Sequence, residues 1–288
     1  LILFMFDAIH SDANLVILDD PISSFDSNKK YAIINRLFKT GEKGNSLYEK
    51  TVLMLTHDFE PVIDYIQTNS GRQNPTSVCA NYFENKNGVL QCTPIRKDDD
   101  LMSSVVLLKE LASDTAIDIA ARIGCLRKFI EHQCKDPKVE SDAYNILSSL
   151  IHGRSEPTFD KEGSDKLSEG QVDTGMQYIK SFIPNFNYTA ILAQCTPQCL
   201  MERYVTEHSA YIKMLILRVY TERDNGARER LRKYNDVLRK YVDETYHIEN
   251  DYLYSLDVRR FNIVPDNYIS DAERYVADER ARFDFSEK

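Results

Sequence analysis

Up to about Ile95 the chain alternates short apolar runs with polar connections, and beyond Asp98 apolar residues recur at three-to-four spacing over long stretches. Leu15 to Leu18 and Thr51 to Leu55 are continuous apolar runs of strand length. Each is followed by polar residues and a helix-like segment, the pattern of buried parallel strands. Val78 to Phe83 and Val89 to Thr93 flank Glu84-Asn85-Lys86-Asn87-Gly88, which reads as a β-hairpin. In the second half Val105, Leu108, Leu111 and Ala112, then Ile119, Ile123, Leu126 and Ile130, line helical faces. Helix breaks are expected at Asp136-Pro137, Gly153 to Gly170, Pro184, Pro197, Asn225-Gly226 and Pro265. The expected fold is therefore an α/β part with parallel strands and helices over residues 1–97, then a mostly α-helical domain over 98–288.

Composition sharpens this picture by exclusion. A chain of 288 residues that is 42% hydrophobic has enough apolar content for a core, so it is not disordered as a whole. Its 36 Lys plus Arg stand against 45 Asp plus Glu, a net charge of -9, so any contact with nucleic acid must be local. No apolar run approaches the roughly 20 residues of a membrane helix. Leu1 to Phe6 is not a signal peptide either, since it has no basic residues before it and no cleavage site after it. Beginning on Leu rather than Met, the chain reads as a fragment of a longer protein. The cysteines at 79, 92, 125, 134, 195 and 199 form no C-x-x-C pair, which fits reduced thiols and a cytoplasmic location. Cys195, Cys199 and His208 are a conceivable zinc set.

Two clusters carry candidate chemistry. The run Leu15-Val16-Ile17-Leu18-Asp19-Asp20-Pro21 ends a buried strand in two carboxylates, at the sheet edge where open α/β folds bind ligands. There one acid can organise the water shell of Mg²⁺ while the other polarises an attacking water. A Ser-rich turn with an acid, Ser23-Ser24-Phe25-Asp26, follows, and a second strand, Val52 to Leu55, ends in Thr56-His57-Asp58. In this order the elements resemble the Walker B strand, D-loop and switch histidine of ABC-type ATPases. The wording from Leu18 to Asp26 is most similar to the branch that includes the PrrC and RloC anticodon nucleases and related bacterial defence ATPases. The resemblance implies ATP and Mg²⁺ as cofactors, with Asp19 serving the metal and Asp20 in the place of a catalytic Glu. It implies nucleotide contacts for Ser24 and Asp26 on the dimer-facing loop, γ-phosphate contact for His57, and a homodimer formed through the ATPase heads. Asp20 is one methylene shorter than the Glu usual in that family. The motif G-x-x-x-x-G-K-[ST] is absent from the sequence, and so is a Leu-Ser-Gly-Gly signature, so only the hydrolytic edge is represented.

The second cluster lies in the helical half. Arg127 and Glu131 are four residues apart on one helical face, in the order less favourable for an isolated pair, and His152 follows a second helix with Gly153 as its expected C-cap. Arg-x-x-x-Glu with a later His resembles the active centre of the same nucleases, whose effector domains belong to the helical HEPN class. That resemblance implies metal-independent cleavage of tRNA or another nucleic acid. His152 would be the general acid or base, Arg127 the charge stabiliser and Glu131 the orienting residue. His132 is a rival on another face.

Between 213 and 240, nine basic residues and four acidic ones, interspersed with tyrosines, describe either a nucleic-acid face or a solvated helix exterior with Tyr packing inward. Tyr246 to Tyr252 is polar and suits a site or a docking helix end. A different class of function remains open: an ATPase of the repair type whose helical half only binds nucleic acid or protein. Arg127, Glu131 and His152 should meet in one pocket for a nuclease and lie apart for a binding module.

Overall fold

The structure is a computed structural model that describes residues 2–22, 33, 37–38, 46–47, 50–58, 79–86, 88–96, 101–133, 137–159, 165–244 and 254–286. It is mixed α/β, dominated by helices toward the C-terminus, and divides into two compact units, Leu1–Leu101 and Met102–Lys288. This division lies a few residues beyond the expected one at 97/98.

In the first unit, helix α1 (Ile2–His10) leads into strand β1 (Leu15–Asp19), which pairs in parallel with β2 (Thr51–Leu55). Alternation decides which side is buried. Val16 and Leu18 pack with Ala8, Ile22, Leu37 and Leu47 in a small core against which Val52 and Met54 rest, while Leu15, Ile17, Leu53 and Leu55 are exposed on the opposite face. Strands β3 (Ala80–Lys86) and β4 (Val89–Ile95) form the expected antiparallel hairpin. Its turn is tighter than the composition suggested. Lys86 pairs with Val89, so the strands continue through Glu84 and Asn85 to a two-residue loop. Gly88 takes the positive φ of 83° that such a loop demands, and its amide bonds to Asn85 Oδ1 at 2.8 Å.

The second unit is a helical assembly with one two-stranded sheet, β5 (Leu101–Ser103) with β6 (Tyr254–Leu256). Its helices are α2 (Ser104–Ser113), α3 (Ile119–Gln133), α4 (Pro137–Ile151), α5 (Glu169–Lys180), α6 (Tyr188–Gln194), α7 (Pro197–Thr206), α8 (Ala210–Arg223), α9 (Ala227–Tyr234), α10 (Asp236–Glu244) and α11 (Asp266–Ser286). Boundaries follow local chemistry. Thr196 caps α7 through Cys199 N with Pro197 at the first helical position, Ser168 and Gln171 form a capping box on α5, and Ser209 caps α8. Helix α8 runs through the middle: Ala210, Ile212 and every residue from Met214 to Thr221 are buried, so it is covered on all sides. Helices α4 and α5 cross closely at Gly175, where a Cβ would lie 2.9 Å from the backbone of Asp142 and Ala143. No helix among the described residues is long and apolar enough to cross a membrane.

Candidate functional site

Parallel pairing of β1 with β2 aligns Asp19 with Leu55, and the amide of Asp20 extends the ladder by donating to the Leu55 carbonyl at 2.8 Å. Both strands therefore finish at one edge, and the residues that follow them, Asp20 and Thr56-His57-Asp58, emerge together there. Asp19 and His57 are exposed and Asp20 is half-buried. The Asp58 amide bonds to Thr56 Oγ1 at 3.0 Å, closing a small turn around His57. Asp20 has φ 46°, the only positive value among described non-glycine residues. Left-handed backbone costs an L-residue roughly 1–2 kcal/mol, and Asp and Asn tolerate it best. A carboxylate therefore sits where glycine would be conformationally easier. Asp19 and Asp20 supply hard oxygen donors at an accessible edge, the set that suits Mg²⁺, which keeps several waters and takes one or two carboxylates beside phosphate oxygens. Ser24 and Asp26 lie outside the described residues.

The helical candidates separate into two places. Arg127 pairs with Glu131 at 3.3 Å on α3, donates to the Tyr144 hydroxyl on α4, and stacks its guanidinium 4.6 Å from the Tyr144 ring centroid. Burial pushes the Tyr144 phenol up, against the pull of the Arg127 charge. His152 lies roughly 12 Å further along the α4 axis than Tyr144. There Nδ1 is 2.7 Å from Glu222 Oε2, on the last turn of α8. Arg127, Glu131 and His152 thus do not meet in one pocket. The reason is axial: the Arg127 group touches the middle of α4, whereas His152 follows its C-terminal end. Gly153 caps α4 as expected, with φ 74° and its amide donating to the Leu150 carbonyl at 3.2 Å. The side chain of His132 lies outside the described residues.

Glu222 is the partner that sequence reasoning missed. It bonds to Arg218 one turn earlier, and Arg218 Nη1 also reaches Asp243 Oδ1 at 3.0 Å. Burial pushes the Glu222 carboxyl up, but the hydrogen bond from His152 and the Arg218 charge outweigh it and hold it at about 2. Being 70 residues from His152, Glu222 gives no local signal.

The basic stretch reads differently once folded. Lys213 pairs with Glu273, Arg228 with Asp243, Arg230 with Asp224 and Glu279, Arg232 and Lys233 with Glu229, and Arg239 and Lys240 with Asp236. Arg223 instead caps α4 by donating to the Leu150 and Ile151 carbonyls. Tyr220 is buried and donates to Glu279, while Tyr204 is buried beside Lys213. Lys213, Arg228 and Arg230 tie helices together and Arg232, Lys233, Arg239 and Lys240 pair within their own helices, so a paired helix exterior with Tyr204 and Tyr220 packed inward describes the stretch better than a phosphate-binding face. Tyr246 to Tyr252 lies wholly outside the described residues, as do its flanks at 245 and 253.

The zinc set is not assembled. Cys195 is buried and accepts from Arg203 Nη2 at 3.6 Å, and among the described residues no group of three His, Cys, Asp or Glu is placed to hold a metal ion. A cavity of about 320 Å³ beside α5 is lined by Glu156, Glu169 and Asp173 with Pro157, Leu167 and Val172, an acidic surface unsuited to phosphate. No family model, curated protein or solved structure matches this chain.

Proposed function

We propose that residues 1–97 form the hydrolytic edge of an ABC-type ATPase head, and that pairing of two such heads in a homodimer gates the helical unit as an RNA-cleaving effector. The observation that carries this reading is the in-register parallel pairing of β1 and β2, which brings Asp19, Asp20 and His57 out at one strand edge. An unrelated strand with an accidental Asp-Asp-Pro has no reason to place a Thr-His turn beside it. Mg²⁺, when bound, supplies charge neutralisation for the β- and γ-phosphates. Asp19 would hold it there, Asp20 would accept hydrogen bonds from the attacking water and orient it, and His57 would donate to the γ-phosphate. Asp20 keeps a strained backbone, which fits a residue retained for its carboxylate. The phosphate cradle comes from another segment or chain, since the sequence has no glycine-rich phosphate loop of the required spacing. In the helical unit His152 is the acid–base residue and a cytoplasmic tRNA, or another nucleic acid, the substrate.

The test is ATP turnover by the protein together with the segment or chain that supplies the phosphate cradle. His57→Ala should lower phosphate release by roughly 10²-fold or more, and equal turnover in the two proteins would sink the role of the edge. Total tRNA from cells expressing the wild type or His152→Ala tests the effector: cleavage that disappears in the variant supports it. A second reading, a non-catalytic interaction module, is favoured by the separation of Arg127-Glu131 from His152. Intact RNA under conditions of active ATP turnover would establish that reading instead.

A further inference from the structure

The last turn of α8 clamps the end of α4 twice: Arg223 Nε donates to the Ile151 carbonyl at 3.2 Å, and the preceding residue, Glu222, accepts from His152 Nδ1 at 2.7 Å. The His152 side chain is 35% exposed, that of Glu222 is 14% exposed and that of Arg218 is 9% exposed. A solvent-reaching imidazole is thus backed by a carboxylate sunk into the helix packing, itself backed by a deeper guanidinium. Each Glu222 oxygen has its own task. Oε1 takes Arg218 and Oε2 takes His152. Among the described residues His152 Nε2 has no hydrogen-bond partner.

We propose that Glu222 is the positioning residue of His152, holding the ring with its proton on Nδ1 so that the Nε2 lone pair faces solvent as the acid–base atom of the helical unit. The inference rests on the RNA-cleaving reading and replaces Glu131 with Glu222 as the orienting carboxylate. Nε2 takes the proton of a ribose 2′-hydroxyl as that oxygen bonds to phosphorus. The P–O5′ bond breaks, and the departing O5′ takes a proton from water that the imidazolium then restores. The net change is one proton moved from O2′ to O5′, with a 2′,3′-cyclic phosphate and a 5′-hydroxyl as products. Free imidazole carries no obligation to the Nδ1–H form, so an ionised acceptor at Nδ1 is what makes Nε2 the basic atom. The charged groups around Glu222 are Arg218 on its own helix, Arg228 of α9 and, beyond Arg218, Asp243 of α10.

The decisive variant is Glu222→Gln, which keeps the shape of the side chain. Its single carbonyl oxygen must serve Arg218, so its amide NH₂ faces the ring and Nδ1 becomes the acceptor. Nitrogen-15 NMR of the histidines in the full protein, with His152 assigned through His152→Ala, should show Nδ1–H in the wild type and Nε2–H in Glu222→Gln. Cleavage of total tRNA should fall about 10⁴-fold in Glu222→Gln, the order expected when a carboxylate-held histidine takes the wrong tautomer, and vanish in His152→Ala. Circular dichroism checks that both variants are folded, and Glu222→Asp should recover part of the rate. If the wild type cleaves and Glu222→Gln matches it in rate and pH profile, the dyad is wrong and the RNA-cleaving reading stands. If the wild type cleaves no RNA while turning over ATP, that reading fails and the dyad falls with it, whatever the tautomer.

Discussion

Single residues in the helical unit decide how it holds together, because several of its charges are buried and shared. Glu279 accepts from Arg230 and from Tyr220 and pairs with Arg282 at 3.0 Å. Removing it leaves Arg230 and the Tyr220 hydroxyl without that acceptor. Breaking a buried pair from one side costs about 3–5 kcal/mol, so Glu279→Ala should lower the unfolding free energy of the helical unit, read from denaturant titration, by that amount, and a loss below about 1 kcal/mol would show the network to be incidental. Glu222 makes a pH-dependent contribution. Its carboxyl is held at about 2 against an ordinary 4.5, so the folded state binds its proton less readily than the unfolded chain. The associated stability is fully present above pH 4.5 and is lost as the pH falls from there toward 2. Denaturation curves between pH 7 and pH 3 should therefore slope less steeply in Glu222→Gln than in the wild type, and parallel slopes would contradict the assignment. The role of Glu222 was invisible in the sequence, where it is one of four acids in a basic stretch, because helix packing and not spacing brings it to His152.

At the scale of elements, close approach explains more than propensity. Gly175 lets α5 lie against α4: a Cβ there would be 2.6 Å from Ile146 Cδ1, which can move, and 2.9 Å from backbone atoms, which cannot without shifting the helix. Gly175→Ala should destabilise the unit by about 1–3 kcal/mol, as overpacking does, even though alanine is the better helix former. A thermal melt reads the sign directly, and a raised midpoint would mean that the helices slide apart freely. Most element boundaries were legible. Pro137, Pro197 and Gly226 stand at helix starts, Pro265 immediately precedes α11, and the Gly153–Gly170 stretch separates α4 from α5, because caps and breakers act locally. The parallel strands were legible as unbroken apolar runs, but one face of each is exposed where burial on both faces was expected. The pairing of β5 with β6 was not legible, since three-residue strands some 150 positions apart carry no pattern of their own. The Arg127, Glu131 and His152 grouping failed likewise: residue order along two helices says nothing about where on the helix axis they touch.

On the scale of the whole molecule, the chain joins a strand edge rich in carboxylates to a helical unit whose cations are largely committed to its own carboxylates. Its net charge of -9 agrees with that distribution. Everything proposed for the molecule depends on ATP hydrolysis at the β1–β2 edge. The most direct test is steady-state phosphate release with ATP and Mg²⁺, comparing wild type with Asp20→Asn in the protein together with the segment or chain that supplies the phosphate cradle. Asparagine tolerates the left-handed backbone of position 20 as aspartate does, so the substitution removes the charge and little else. The account predicts Mg²⁺-dependent turnover that falls at least roughly 10²-fold in Asp20→Asn with ATP binding retained. Turnover equal in the two proteins, or absent from a wild type that binds ATP, would contradict it.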